Sequence, residues 1–256
     1  MSDRREHMLE ARGIAKSFGA LKVANNVTLE LDAGERRAII GPNGAGKTTL
    51  FNLLTGEIAP DAGTVLLDQK DITRLTPDAR ARRGLGRSFQ KNNLFRGLTV
   101  RESLTLSAMI ALGKARQFWR DPGSDVEIAE RIDQTAQWVN LAGELDLPTD
   151  ALSYGARRQL EVGLALAARP KVLLLDEPTS GMSPEDTGIM LELLNSLPSD
   201  LAMLIIEHDM DLVYGAAQRV TVLNYGEIVF EGTPEEARAS DEVKRIYLGD
   251  WGDHHA

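Results

Sequence analysis

The sequence predicts an α/β protein whose core is a parallel β-sheet. Short apolar segments of strand length alternate with segments of helical periodicity, for example residues 36–40 followed by 48–54. Two further apolar runs, at 171–175 and 201–206, end in acidic or polar side chains. Such uninterrupted runs are typical of strands buried on both faces. Functional side chains are therefore expected just beyond the carboxyl ends of these strands.

Smaller elements are predicted around this core. Partial alternation of apolar and polar residues at 8–14, 27–31 and 63–67 indicates antiparallel strands packed beside the parallel sheet. Between residues 99 and 147 the pattern becomes helical, with charges interspersed, which indicates a helical subdomain inserted into the core. A Thr-Pro-Glu-Glu helix start at 233–236 begins a tail of two short helices.

All of these elements are expected to belong to one domain, residues 1–256. The hydrophobic fraction of 43% is sufficient for a sizeable core. Within that domain we expect the core with its antiparallel part at about 8–90 and 160–232, the helical subdomain at about 91–159, and the C-terminal helices at 233–248.

The composition excludes several classes of function. With 38 acidic and 29 basic residues the net charge is −9, which works against unspecific binding to nucleic acid or anionic lipid. The lack of cysteine excludes disulfides, thiolate zinc sites and cysteine nucleophiles. The charged amino terminus does not fit a signal peptide, and no apolar run approaches the roughly 20 residues of a membrane span. We expect a chain that does not enter a membrane.

Residues 41–48, Gly-Pro-Asn-Gly-Ala-Gly-Lys-Thr, fit the phosphate-loop pattern G-x-x-x-x-G-K-[ST]. The glycines let successive N–H groups point at a phosphate, and the amino end of the following helix adds partial positive charge. Lys47 is expected to bridge phosphate oxygens, and Thr48 to offer its hydroxyl to Mg²⁺. An ordinary glycine-rich turn is the alternative, which the position between strand and helix disfavours. The expected nucleotide-binding residues are Gly41, Pro42, Asn43, Gly44, Ala45, Gly46, Lys47, Thr48 and Thr49.

Two carboxylates follow the apolar run at 171–175. Asp176 is expected in the Mg²⁺ shell, and Glu177 is expected to orient or deprotonate the attacking water. An apolar strand that ends in two acids is common in itself. Its combination with the phosphate loop makes the pair a specific signal for nucleotide hydrolysis.

The phosphate loop, Leu-Ser-Tyr-Gly at 152–155 and Asp-Glu-Pro at 176–178 occur in the order found in the ATP-binding-cassette (ABC) family. The chain resembles this family over nearly its whole length. The resemblance implies a P-loop NTPase with a RecA-like parallel-sheet core, an antiparallel β subdomain and an inserted helical subdomain, with ATP and Mg²⁺ as cofactors. It also implies a head-to-tail pair with a second ABC ATPase, in which Ser153 and Gly155 contact the partner's γ-phosphate. A simple helix cap at Ser153 has the same geometry without a partner.

The same resemblance assigns roles to three further residues. Gln90 matches the glutamine that contacts Mg²⁺ or water, and His208 matches the histidine whose ring reaches the γ-phosphate. Phe18 resembles the aromatic residue that stacks on adenine, although packing in a local core is an alternative. The expected catalytic residues are Glu177, His208, Gln90 and Lys47, and the expected metal-binding residues are Thr48, Gln90 and Asp176.

The chain departs from the family pattern at two places. Tyr154 and Ala156 replace the third and fifth residues of the usual Leu-Ser-Gly-Gly-Gln signature. Ser183 stands where the turn after Glu177 commonly ends in aspartate. The role of Tyr154 and any contact across the dimer through an acid at 183 are therefore left open by the sequence.

Within the family, residues 51–56, 89–95 and 247–249 resemble the ATPases of branched-chain amino acid importers. This implies an ATPase at the cytoplasmic face of the inner membrane that energises import through a permease and serves an external solute-binding protein. Close alternatives are urea/amide importers and lipopolysaccharide-export ATPases. Soluble ABC ATPases that act in DNA repair or on ribosomes normally carry two cassettes, long coiled coils or zinc-binding cysteines, none of which this sequence shows. P-loop kinases or GTPases share the phosphate loop but have no reason to carry the signature, Glu177 and His208 at these places. The basic cluster at 80–87 is expected to be a solvated face or a permease contact, with Arg82, Arg83 and the segment 91–99 as candidates.

Overall fold

The computed structural model describes residues 7–88, 94, 97–114 and 125–252, with side chains up to residue 246. Its framework is two sheets. The first is antiparallel, in the order β2-β1-β4-β5, with strands β1 His7–Phe18, β2 Leu21–Asp32, β4 Ala62–Leu67 and β5 Lys70–Asp71. The second has the order β10-β9-β3-β8-β7-β6, with strands β3 Arg36–Ile40, β6 Leu85–Arg87, β7 Val172–Asp176, β8 Ala202–Ile206, β9 Arg219–Asn224 and β10 Glu227–Gly232.

In the second sheet, parallel pairing joins β6 to β7, β7 to β8, β8 to β3 and β3 to β9, and β10 pairs with β9 in antiparallel orientation. The α/β fold with an antiparallel part is therefore confirmed. The described helices are α1 Lys47–Thr55, α2 Pro77–Ala81, α3 Val100–Ala111, α4 Val126–Trp138, α5 Tyr154–Leu166, α6 Pro184–Ser196, α7 Met210–Ala216, α8 Pro234–Ala239 and α9 Asp241–Gly252. None of them is both long and apolar enough to cross a bilayer.

The central strands separate two apolar cores. Val172 and Leu174 of β7 pack with helix α1 and the antiparallel sheet. Leu173 and Leu175 face the opposite way, toward α3, α4, α5 and α6. Because successive side chains of a strand point to opposite faces, a strand covered on both sides has to be apolar throughout. This is the reason that the runs at 171–175 and 201–206 show no alternation.

Arg80 corrects the expectation that the whole basic cluster at 80–87 is solvated. Its side chain is 1% exposed, and its guanidinium donates to the carbonyl oxygens of Leu53 at 2.8 Å, Leu54 at 2.6 Å and Thr73 at 2.8 Å. The last carbonyl groups of a helix have no partner within the helix. Arg80 therefore caps α1 from outside and ties the carboxyl end of the phosphate-loop helix to the segment before α2.

Candidate nucleotide site

The order β3-β8-β7 places the ends of three strands side by side. Ile206 of β8 is in register with Ile39 of β3 and with Asp176 of β7. The ladder continues one step further, because Glu177 donates its N–H to the Ile206 carbonyl at 2.9 Å and Glu207 donates to that of Ile39 at 3.3 Å. The loops that follow these strands hence leave the same edge of the sheet, as expected for functional loops in a parallel sheet.

The phosphate loop is held tightly between β2 and β9. Gly41 has φ 155° and Gly46 has φ 102°. A Cβ atom on Gly41 would lie 2.1 Å from the Leu223 carbonyl oxygen, and one on Gly46 would lie 2.4 Å from that of Val23. Glycine at 41 and 46 is thus required by the approach of neighbouring backbone. Gly46 is the N-cap of α1, so the N–H groups of the first helical turn lie next to the loop without intrahelical partners.

Lys47 lies across the loop that precedes it. Its Nζ donates to the carbonyl oxygens of Gly41 at 2.6 Å and Pro42 at 3.0 Å, which uses two of the three N–H groups of an ammonium. Burial lowers the pKa of Lys47, while the charges of Glu177 and Asp176 act in the opposite direction. The lysine is therefore a partly desolvated cation close to two carboxylates.

The two acids after β7 have different environments. Asp176 is 6% exposed, and its N–H donates to Ser88 Oγ at 3.2 Å. Glu177 has φ 48°, in the left-handed region, and its side chain is 46% exposed. A non-glycine residue in this conformation costs about 1–3 kcal/mol and persists only where its surroundings enforce it. The residue with this strained backbone carries a half-exposed carboxylate that lies beside His208.

His208 lies beside Glu177. Its Nδ1 is 3.8 Å from Glu177 Oε1 and 3.7 Å from Glu207 Oε2, and the ring is 62% exposed. Glu207 has no exposed surface and binds backbone N–H groups of its own loop and Thr179 of the turn after β7. Sequence reasoning assigned no role to Glu207. The signal was present, because a charge directly after a wholly apolar strand needs partners.

The signature segment begins helix α5. Ser153 is its N-cap, with Oγ accepting from the Ala156 N–H at 3.1 Å. The Tyr154 hydroxyl donates to the Ser180 carbonyl oxygen at 2.7 Å. Arg158 reaches the same oxygen at 3.3 Å and stacks 5.5 Å from the Tyr154 ring centroid. Tyr154 therefore ties the signature helix to the turn that follows Glu177, a contact between segments that are distant in sequence.

A sequence model of the family described as ABC transporter matches residues 24–180, which include the phosphate loop, the signature and both acids after β7. The chain belongs to the ABC transporter family. It is accordingly an ATPase subunit of the kind that hydrolyses ATP to power transport.

Individual ABC relatives cover almost the whole chain. It is 38% identical over 250 residues to the high-affinity branched-chain amino acid transport ATP-binding protein LivG of Escherichia coli (strain K12), spanning 95% of this chain and 98% of LivG. It is 35% identical over 244 residues to the lipopolysaccharide export system ATP-binding protein LptB of Haemophilus influenzae, spanning 95% and 98%. A crystal structure of the ADP conformation of an ATP-binding cassette of an ABC transporter has a TM-score of 0.83 and 30% identity, covering 95% of this chain and 99% of that one.

This ABC protein has no acid at position 183, but an acid that sequence reasoning overlooked, Asp186, lies three residues later. Ser183 is the N-cap of α6, and its Oγ accepts from the Asp186 N–H at 3.1 Å and contacts Asp186 Oδ2 at 2.9 Å. A Cβ atom on Gly155 would lie 2.5 Å from Asp186 Oδ1. The acid three residues later thus packs against the signature glycine of the same chain.

Two residues of the ABC motifs, Phe18 and Gln90, are not among the contacts described so far. Phe18 ends β1 and is 50% exposed, with Lys16 Nζ 5.7 Å from its ring centroid. The ring is therefore available at the surface and is not packed in a local core. Gln90 lies outside the described residues, as do residues 91–93, 95 and 96 of the segment considered as a permease contact.

The residues present fit Mg²⁺ as a cofactor bound together with a nucleotide. Among the described residues, no group of three or more carboxylates and histidines could hold a metal alone. Mg²⁺ is usually bound by one or two carboxylates together with substrate phosphates. Asp176 supplies such a carboxylate close to Lys47, and Thr48, an exposed residue next to that lysine in sequence, carries a hydroxyl oxygen.

The Tyr154 contact predicts a stability effect. Tyr154→Phe keeps the ring over Arg158 and removes only the hydroxyl, which donates to the Ser180 carbonyl oxygen at 2.7 Å and accepts from Arg158 Nε at 3.2 Å. It should lower the free energy of unfolding by about 1–2 kcal/mol, the net value of two hydrogen bonds. Urea denaturation followed by tryptophan fluorescence measures this value. The matched control is Tyr225→Phe at an 83% exposed turn position, which should change it by less than about 0.5 kcal/mol. If the two substitutions lowered the free energy of unfolding equally, the proposed stabilisation by the Tyr154 contact would be wrong.

Proposed function

We propose that the chain binds ATP and Mg²⁺ and uses ATP hydrolysis to energise the import of branched-chain amino acids or similar small solutes through a separate membrane permease. The chemical part is supported by the edge of the sheet at which the phosphate loop, Glu177 and His208 meet. The transport part is supported by the 38% identity to LivG along nearly the full length of both chains.

In the proposed site the phosphate loop holds the nucleotide phosphates. The Lys47 ammonium exchanges its bonds to the carbonyl oxygens of Gly41 and Pro42 for bonds to β- and γ-phosphate oxygens, which are stronger because both partners are charged. Residues 43–46 and Thr49 line the rest of the loop, and Phe18 stacks on the adenine. Thr48 and Asp176 would hold Mg²⁺, with Gln90 as the third expected ligand. The metal neutralises developing charge on the phosphates when it is bound.

Hydrolysis is assigned to the residues after β7 and β8. Glu177 accepts a hydrogen bond from a water molecule and takes its proton as the water oxygen bonds to the γ-phosphorus. The bond from that phosphorus to the β–γ bridging oxygen breaks, which yields ADP and phosphate. We propose that the ring of His208, whose Nδ1 lies 3.8 Å from Glu177 Oε1, binds a γ-phosphate oxygen.

The partner subunit completes the proposed site. Ser153 is exposed at the amino end of the 13-residue helix α5, where N–H groups and the helix dipole favour an anion. We propose that Ser153 and Gly155 contact the γ-phosphate bound by a second ABC ATPase in a head-to-tail pair. The whole chain acts in this assembly as one ABC ATPase domain, with the core at about 8–90 and 160–232, the helical subdomain at about 91–159 and the C-terminal helices at 233–248.

A cleft between the core and the helical part supports a permease contact. Its volume is about 370 Å³, and it lies between α2 and β6 on one side and α3 and α5 on the other. Ile110 in its wall is 50% exposed, and the buried Ser103 Oγ has no hydrogen-bond partner within the described part of the chain. Arg82 and Asp78 also line it. We propose that a cytoplasmic helix of the permease binds here, which places the chain at the cytoplasmic face of the inner membrane, opposite an external solute-binding protein.

The proposed base predicts a separation of binding from turnover. Glu177→Gln keeps the size of the side chain and removes its basicity, so ATP turnover should fall at least about 100-fold, while ATP affinity should stay within about two-fold of the parent because the phosphate loop is unchanged. Phosphate release and calorimetric titration measure the two quantities. Glu185→Gln, in the exposed first turn of α6, is the control and should retain normal turnover. Near-normal turnover of Glu177→Gln would sink the assignment.

The proposed partners predict what accompanies the chain in a membrane extract. A tagged copy purified in mild detergent should bring down a polytopic permease, identified by mass spectrometry, and cells lacking the chain should lose uptake of radiolabelled leucine. Ile110→Asp, which puts a charge into the apolar wall of the cleft, should release the permease without changing ATP binding. Recovery of an export complex with unchanged leucine uptake would overturn the import proposal, and recovery of soluble partners alone would overturn the transport role.

A further inference from the structure

Glu207 is a buried carboxylate shared by two loops of the site. It follows β8 directly and has no exposed surface. Its Oε1 accepts from the Thr179 N–H at 3.0 Å and from Thr179 Oγ1 at 2.5 Å. Its Oε2 accepts from the N–H groups of His208 at 2.9 Å and Asp209 at 3.2 Å. One oxygen thus accepts hydrogen bonds from the turn after β7, and the other accepts them from the loop after β8.

The burial of this charge is expensive unless its hydrogen-bonding capacity is used. Removing an ionised group from water is strongly unfavourable, and the cost is offset only by well-placed donors. A carboxylate offers about four acceptor sites, and Glu207 has four donors. The complete set of donors identifies it as a built connection between the two loops.

We propose that Glu207 is a positioning residue for ATP hydrolysis, which fixes the separation between the carboxylate of Glu177 and the ring of His208. This inference rests on the proposed roles of those two residues. Thr179 lies two residues beyond Glu177, whose backbone has the unfavourable φ of 48°. The turn is closed by the Ser180 N–H bond to the Glu177 carbonyl at 3.1 Å, so a shift of Thr179 is passed to Glu177.

The His208 side chain depends on its backbone for its position. The ring is 62% exposed, and its closest carboxylate oxygens are 3.7 and 3.8 Å away, beyond ordinary hydrogen-bond distance. The two N–H bonds to Glu207 Oε2 therefore hold the loop that places the ring. The phosphate loop is anchored elsewhere, against β2 and β9, so nucleotide binding should not depend on Glu207.

Glu207→Gln tests the proposal with almost no change in volume. The amide has one accepting oxygen and an NH₂ group that donates, so it can accept hydrogen bonds from only one of the two loops. We expect kcat for ATP to fall about 10- to 100-fold, the effect of a displacement near 1 Å in an active site, with KM and the affinity for ADP within about two-fold of the parent. A second variant, Thr179→Val, removes one donor and should lower kcat in the same direction.

The combination of these variants distinguishes positioning from general stability. In the double variant, the fold-loss of kcat should be much smaller than the product of the fold-losses in the two single variants, because both changes break the same contact. Glu35→Gln is the matched control: Glu35 is 9% exposed and pairs with Arg37 at 2.8 Å, at the other end of β3. It should lower the unfolding temperature and leave kcat of the folded protein unchanged.

Three outcomes decide the matter. A lowered kcat in Glu207→Gln and in Thr179→Val, with ADP affinity retained, supports the positioning role. Normal kcat in both variants, with Glu177→Gln inactive, overturns this inference and leaves the proposed function standing. Normal kcat in all three, Glu177→Gln included, overturns the proposed function itself.

Discussion

The parallel pairing of β3, β8 and β7 is the constraint on which the site depends. Ile206 is in register with Ile39 on one side and with Asp176 on the other, so the three strands end within one residue of one another. A one-residue slip of a strand would turn every side chain to the opposite face. Since both faces of β7 and β8 pack in apolar cores, the apolar pattern alone does not select the register. The polar residues at the strand ends, with their specific partners, supply that selection.

Glu207 shows how a polar residue at a strand end does this. Its carboxylate can bind Thr179 and the His208 N–H together only when β7 and β8 end side by side. A slipped register would remove both Thr179 donors and leave half of the hydrogen-bonding capacity of this buried carboxylate unused, which is destabilising. The hydrogen bonds that position the proposed catalytic residues thus also favour the correct pairing of the strands. In the proposed mechanism, stability and ATP hydrolysis rely on one set of contacts.

Charge within the site is balanced over short distances. Burial lowers the pKa of Lys47, and the charges of Glu177 and Asp176 oppose that effect. The lysine meanwhile donates to two carbonyl oxygens of its own loop. A triphosphate with a divalent cation would bring new partners for the lysine and for the carboxylates at the same time. The arrangement is suited to a ligand that carries both signs of charge, which ATP with Mg²⁺ does.

The sequence was sufficient for those parts of the fold that local pattern determines. Residues 36–40 were predicted as a strand with the bounds found, and 201–206 differs from β8 by one residue. Arg80 shows where such reasoning fails, because its position in a basic cluster gives no sign of the helix end that it caps. The partner of Tyr154 lies 26 residues away in sequence, and the fold alone brings the two together. The roles of Phe18 and Gln90 remain predictions from the family resemblance.

The most direct test of a single ATP site at this sheet edge is a crystal structure of Glu177→Gln with ATP and Mg²⁺. In that structure we expect Lys47 Nζ to have left the carbonyl oxygens of Gly41 and Pro42 for the β- and γ-phosphates. We also expect the γ-phosphate to lie within hydrogen-bond distance of the His208 ring. A nucleotide bound while Lys47 keeps its loop contacts, or with His208 distant from the phosphates, would contradict this expectation.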